Sequence, residues 1–266
     1  MASAGLPKVK LYWLDKSRSQ RILWLLEELK LPYELELFHR NKETRLAPPE
    51  LEKVHPLGKS PVIGITPPGA GENTEPIILA ESGFITQYLT EHCPEGKRLV
   101  PPRWKDGMEG KIGGETEAWL RYQYYLHYCE GSLMPILVMA LVVGGLKSPA
   151  VPFFIRPISS LLANRIFSLF IFPNARRNLS MIEGHLATSE GDYLCGTQLT
   201  AADILLSFPL IAAQSRFDEF GSWEGGSWKQ EFPKVAAYVK KLEAEEGYIR
   251  SVEKIKEVDG EFSSVL

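Results

Sequence analysis

Between Lys8 and Leu37 the spacing of apolar side chains changes twice, and this restricts the fold more than any other feature of the chain. Residues 8–14 (KVKLYWL) are rich in β-branched and aromatic side chains, and the polar run Asp15-Lys16-Ser17 follows at once, so they read as a strand and a turn. From Ser19 the period becomes helical, with Ile22, Leu25, Leu26 and Leu29 on one face of an amphipathic helix that ends before Pro32. Tyr33, Leu35 and Leu37 then alternate with Glu34 and Glu36, the period of a strand with one buried face. A helix between two strands is long enough to bring the second strand back parallel to the first.

Pro48-Pro49-Glu50 opens a short helix through Val54, and after His55-Pro56-Leu57-Gly58 come two apolar runs, residues 61–65 and 77–79. The Pro-, Gly- and Asn-rich residues 66–74 between them read as a long hairpin loop. Glu81-Ser82 introduces a helix whose apolar face is Phe84, Ile85, Tyr88 and Leu89. The proline-rich, charged residues 94–105 mark a linker, giving units of 1–93 and 106–266. The second unit reads as helix throughout: Trp119, Tyr122 and Leu126 recur at helical spacing, Thr200 with Asp203 opens another apolar helix, and residues 232–242 form a further amphipathic one. The fold class expected is α/β plus all-α.

A chain of 266 residues with 44% apolar content buries a substantial core. Lys and Arg number 30 against 33 Asp and Glu, so the net charge of -3 offers no footprint for nucleic acid. Cys93, Cys129 and Cys195 lie far apart with no CxxC pair, which points away from a disulfide framework and from a zinc site, and toward a reducing compartment. The first residues lack the pattern of a secretory signal. Residues 131–146 carry no charge, but Pro135 and Gly144-Gly145 interrupt them and the run falls short of a bilayer span, so a buried helix is expected there.

Three stretches, SRSQRILWLLEELKLPYE, HPLGKSPVI and ILAESGFITQYL, stand at the spacing seen in the first domain of glutathione transferases, and LTAADILLSFPL resembles the capping segment of their helical domain. The resemblance covers nearly the whole chain and is strongest to fungal transferases of the yeast type associated with the endoplasmic reticulum. It implies a thioredoxin-like N-terminal domain that binds glutathione as co-substrate, without a metal. It also implies a C-terminal helical bundle, a pocket for hydrophobic electrophiles between the two, and a homodimer. A role in detoxification and stress response, in the cytoplasm or at the endoplasmic reticulum membrane, goes with it. The loop 66–75 and the aromatic segment 147–172 depart from the simplest members, which bears on the pocket roof and the dimer contact.

Such an enzyme must stabilise a thiolate, because a free thiol titrates near ~8.5 and is mostly protonated at neutral pH. A shift of about two units takes roughly 2.7 kcal/mol, comparable to one hydrogen bond to a charged group plus a helix N-terminal field. Ser17, in the turn before the first helix, is the catalytic candidate, as a hydrogen-bond donor to the sulfur; with Gln20 it also matches an S-x-x-Q capping box. Arg18 adds charge beside it, while Ser19 and Tyr12 are rival hydroxyls. In Ser60-Pro61-Val62 the resemblance implies a cis-proline, after which Val62 pairs with the cysteinyl backbone of glutathione; Pro61 starting an ordinary strand is the alternative. Lys59 and His55 are assigned to the glycine carboxylate, and Glu81 and Ser82 to the γ-glutamyl group, though Ser82 alone also reads as a helix cap. Asp203 is assigned to structure.

Trp119, Tyr122, Tyr125, Tyr128 and Met134 are candidates for the electrophile pocket, though each taken alone reads as core before ligand contact. Hydroperoxide reduction is a second activity open to the same thiolate. The alternatives are a silent transferase-like binding or scaffold module, and a thiol oxidoreductase, which needs a cysteine where this chain has Ser17. Residues 151–172, apolar and aromatic with Arg156 and Arg165, fit an interfacial helix on a membrane or a helix packed within the bundle.

Overall fold

The computed structural model describes residues 5–71 and 73–263; residues 1–4 of the N-terminal reading, Glu72 of the hairpin loop and residues 264–266 lie outside the described residues. Strand β1 (Lys8–Leu14) is central, parallel to β2 (Tyr33–Phe38) with Val9 opposite Tyr33, and antiparallel to β3 (Val62–Thr66) with Tyr12 opposite Val62. Strand β4 (Ile77–Ala80) closes the order β2-β1-β3-β4. Helix α1 (Ser19–Glu28) makes the crossover that a parallel β1–β2 pair requires, and α3 (Ser82–His92) follows β4. Leu11 and Trp13 of β1 enter the main core, whereas Tyr12 and Leu14 join Phe38, Val62 and Leu51 of the short helix α2 (Leu51–Val54) in a smaller cluster. Alternation along one strand thus splits the two cores.

The amphipathic reading of α1 undercounts its burial. Besides its apolar face, Ser19, Gln20, Arg21 and Glu28 are buried, because helices of the second domain cover its polar side. One is α8 (Ala201–Ala213), every residue of which is buried, and the other is α11 (Glu246–Asp259), which reaches α1 through Gln20 Nε2 donating to Ser251 Oγ and Trp24 edge-on to Tyr248. The segment between the units winds into a 3₁₀ turn (Pro94–Leu99), and Arg98 Nη2 donates to the Glu28 carboxylate at 2.5 Å and carbonyl at 2.7 Å.

Helices α4 (Glu117–Tyr128) and α5 (Met134–Gly145) are continuous through a π turn (Cys129–Leu133), so Pro135 does not interrupt the run. The same device joins α6 (Arg156–Ile166) to α7 (Phe172–Thr188), where the turn Phe167–Ile171 precedes Pro173. A wide turn opens the backbone ladder where a proline has no N–H to give. The resulting helix Glu117–Gly145 has 29 residues, long and apolar enough by length and composition to cross a membrane, with half of its most apolar window buried in the protein. It is therefore not the wholly buried helix expected: Met134, Leu137, Ala140 and Val143 face inward, while Val138, Leu141, Val142 and Leu146 are exposed.

Helix α6 departs further from a packed bundle helix. Only Ala163 is buried, and Ile158, Leu161 and Leu162 are 72%, 72% and 57% exposed. Helix α10 (Pro233–Glu243), with the short α9 (Trp228–Glu231) before it, closes the bundle over α7 and α8.

Candidate active site

The loop between β1 and α1 is held from the side: Asp15 accepts from the Arg40 backbone N–H at 2.6 Å, and Arg40 Nε donates to the Asp15 carbonyl at 3.2 Å. Lys16 turns the chain with φ of +48°. Ser17 is thereby fixed at the entrance to α1, its hydroxyl donating to the Leu14 carbonyl at 2.7 Å and accepting from the Ser19 N–H at 3.1 Å. The S-x-x-Q capping box does not form, since Gln20 turns away to Ser251, although the Ser17 hydroxyl satisfies the first N–H of α1. Ser19 is fully buried, and Tyr12 is packed in the small cluster with its hydroxyl pKa raised by burial.

Facing Ser17 across the sheet end is Ser60, whose Oγ lies 3.2 Å from Ser17 Oγ and also hydrogen-bonds Ser19 Oγ. The Ser60–Pro61 peptide is cis. Val62 begins the ladder and is opposed by Tyr12 on one side and Ala80 on the other, so the backbone lying outside the sheet here is that of Ser60. Lys59 is exposed, and His55 is half-buried at the end of α2, its Nδ1 accepting from the Leu57 N–H at 3.4 Å.

At the start of α3, Glu81 is exposed and holds φ of +69° and ψ of 113°, a conformation that costs a side-chain-bearing residue of order 1–3 kcal/mol. It presents the free N–H groups of the first helical turn beside Ser82. Ser82 is buried, and its Oγ accepts from Arg21 Nη2 at 2.6 Å, which leaves the Ser82 hydroxyl proton free to point elsewhere.

Arg21 is completely buried. It bonds Glu130 through Nη2 and donates Nη1 to Cys129 Sγ at 3.1 Å and to the Leu205 carbonyl at 3.0 Å. Burial works against its charge, but the Glu130 carboxylate and the hydrogen bonds to Glu130 and Cys129 leave the pKa raised. Burial pushes the Cys129 thiol up to about 12, so it stays neutral and Glu130 is the countercharge. Arg18 Nη1 also donates to Glu130, at 2.8 Å, which ties the loop beside Ser17 to the helical domain.

The structure thus brings Ser17, Ser19 and Ser60 into one hydroxyl cluster, and joins Arg18 and Ser82 through Arg21 and Glu130. Ser60, Arg21 and Glu130 were missed in the sequence. Ser60 and Arg21 sit inside the motifs, but no local pattern marks Glu130, which comes from the π turn. Asp203 lies apart from this site: it accepts from Thr200 N–H at 2.8 Å, Leu194 N–H at 3.0 Å and Tyr238 OH at 2.7 Å, bonds that oppose the rise in pKa caused by burial. Tyr122, Tyr125, Tyr128 and Met134 are buried core residues, with Tyr125 OH 2.9 Å from His185 Nδ1 and Tyr128 OH donating to Asn178 at 2.5 Å. Trp119 is half-buried under the Arg103 guanidinium. Among the described residues no group of three His, Cys, Asp or Glu side chains is placed to hold a metal.

Two family models match the chain, the N-terminal domain of glutathione S-transferases over residues 17–92 and their C-terminal domain over residues 170–241. Glutathione S-transferase 1 of Saccharomyces cerevisiae is 34% identical over 97% of this chain and 100% of its own, and glutathione S-transferase 3 of Schizosaccharomyces pombe is 35% identical over 77% and 74%. Among solved structures, a glutathione S-transferase of Actinobacillus pleuropneumoniae is 26% identical with a TM-score of 0.65, covering 96% of this chain and 95% of that one. A family member from Pseudomonas fluorescens with two glutathione bound is 25% identical with a TM-score of 0.60, covering 91% of each chain. Motif order, a thioredoxin-like sheet joined to a helical domain, and these likenesses agree: the chain belongs to the glutathione S-transferase family.

Proposed function

We propose that this glutathione transferase conjugates glutathione to electrophilic small molecules, with the Ser17 hydroxyl stabilising the thiolate. The observation that carries the reading is the hydroxyl cluster at the entrance to α1, next to a cis peptide and to the start of α3. In this reading the tripeptide lies along that edge. Glu81 faces its ammonium, Ser82 and the first N–H groups of α3 hold the γ-glutamyl carboxylate, and Lys59 meets the glycine carboxylate. The sulfur then falls at the serines, where a hydrogen bond and the field of α1 favour the anion.

The same thiolate can attack the outer oxygen of a hydroperoxide. The O–O bond breaks, an alcohol leaves after protonation, and a second glutathione converts the sulfenic acid to a disulfide and water. The test compares wild type with Ser17→Ala: thiolate absorbance against pH in the glutathione complex, and turnover of an aryl halide and of a hydroperoxide. The reading requires a depressed thiol pKa in wild type that rises in the variant while glutathione still binds. Binding with no depression and no turnover leaves the silent binding module.

We also propose that the protein docks peripherally on anionic membranes through α5 and α6. Ile158, Leu161, Leu162 and Arg165 share the outward stripe of α6, and Phe153 and Phe154 before it are 81% and 67% exposed. No Asp or Glu occurs between Glu130 and Glu183, while Lys147, Arg156, Arg165, Arg176 and Arg177 do. Apolar side chains with basic neighbours suit an interfacial helix on acidic lipid. Sedimentation with vesicles containing phosphatidylserine should carry wild type down and leave a Phe153→Ser/Phe154→Ser/Leu161→Ser variant in solution; equal partition of both overturns the proposal.

A further inference from the structure

We infer that Ser60 is a second catalytic hydroxyl, and the one that donates its proton to the glutathione sulfur at the least cost. The inference rests on the proposed reading that the sulfur lies at the serine cluster.

The argument is a count of protons. A carbonyl cannot donate, so the bond from Ser17 to Leu14 uses the single hydroxyl proton of Ser17. Ser17 Oγ is then an acceptor for its other two neighbours, the Ser19 N–H and the Ser60 hydroxyl. That assigns the proton of Ser60 to Ser17. The remaining contact, between Ser19 and Ser60, takes its proton from Ser19. The four groups form a one-way chain, from Ser19 to Ser60 to Ser17 to the Leu14 carbonyl.

An arriving thiolate must take one of these protons. Taking that of Ser17 strips a buried carbonyl of a 2.7 Å donor, and Ser17 itself is only 5% exposed. Taking that of Ser19 means reaching a side chain with no exposed surface. Ser60 is half-exposed, and its proton is engaged only in the 3.2 Å bond, the longest of the hydroxyl contacts. Redirecting it leaves Ser17 still donating to Leu14 and still accepting from Ser19 N–H, so no buried group loses its only partner. Ser60 also precedes the cis bond, just before the strand ladder begins at Val62, beside where the proposed reading puts the cysteinyl unit.

The test measures bound-thiol pKa, kcat and KM for glutathione in wild type, Ser60→Ala, Ser60→Thr and Ser17→Ala, with thermal melting as a folding check. Ser60→Ala is expected to raise the bound-thiol pKa by about one unit and lower kcat about tenfold at a pH below it, with KM changed less than about twofold. Ser60→Thr, which keeps the hydroxyl, restores both. An unchanged pKa and kcat in Ser60→Ala, with Ser17→Ala defective, overturns the inference and leaves Ser17 as sole donor. Loss that Ser60→Thr does not rescue also overturns it, as a packing effect. If wild type itself does not depress the thiol pKa, the serine reading fails instead, a result visible before any variant is compared.

Discussion

Arg21 concentrates the electrostatics of the site in one side chain. It is fully buried, its countercharge is Glu130 on the other domain, and it fixes the Ser82 hydroxyl. Removing one partner of a buried pair leaves the other unpaired, so Arg21→Met should lower unfolding free energy by about 3–5 kcal/mol, read from urea denaturation. Surviving folded protein should also bind glutathione more weakly, by isothermal titration, because Ser82 loses its donor. Ser17 and Ser82 were legible in the sequence because each sits at the start of a helix within a short motif. Glu130 was not, since its contact with Arg21 spans 109 positions and nothing near it in the chain announces a partner.

Elements were most legible where period and breakers agree. β1 ends at the Asp15-Lys16-Ser17 turn, and α1 begins at Ser19. Legibility failed where a segment is apolar on every side, as in α5: composition says that such a helix is hydrophobic and not which face is covered. The inter-unit segment is another case, because its prolines and charges read as a free linker while its 3₁₀ turn is docked. A Cβ on Gly96 would stand 2.1 Å from the Thr90 carbonyl oxygen, a backbone atom that cannot step aside. Gly96→Ala should therefore cost about 3 kcal/mol of stability, detectable as a lowered melting temperature, whereas Gly107→Ala, just beyond this segment, meets no atom within 4 Å and is strained only by its φ of +71°.

At the scale of the molecule, the two domains share α1. Its polar side is buried under α8 and α11, and without the second domain Gln20 loses Ser251 while the buried Arg21 guanidinium loses its countercharge Glu130 and the Leu205 carbonyl. Calorimetry should show a single unfolding transition, and a fragment of residues 1–105 should fail to fold, having lost the bundle that covers those groups. Sequence boundaries suggest two separable units because covalent breaks are visible in a sequence and packing across them is not. The paired π turns carry a last consequence. Each holds one residue more than a regular turn and absorbs it in the wider turn, so the helix downstream keeps the face it presents. Deleting any single position within Cys129–Leu133 would close the wide turn to a regular coil and leave Met134, Leu137 and Ala140 facing the interior, whereas adding one more would turn them about 100° away. The spare position is thus free of the core's register, and it is from this turn that Glu130 reaches Arg21.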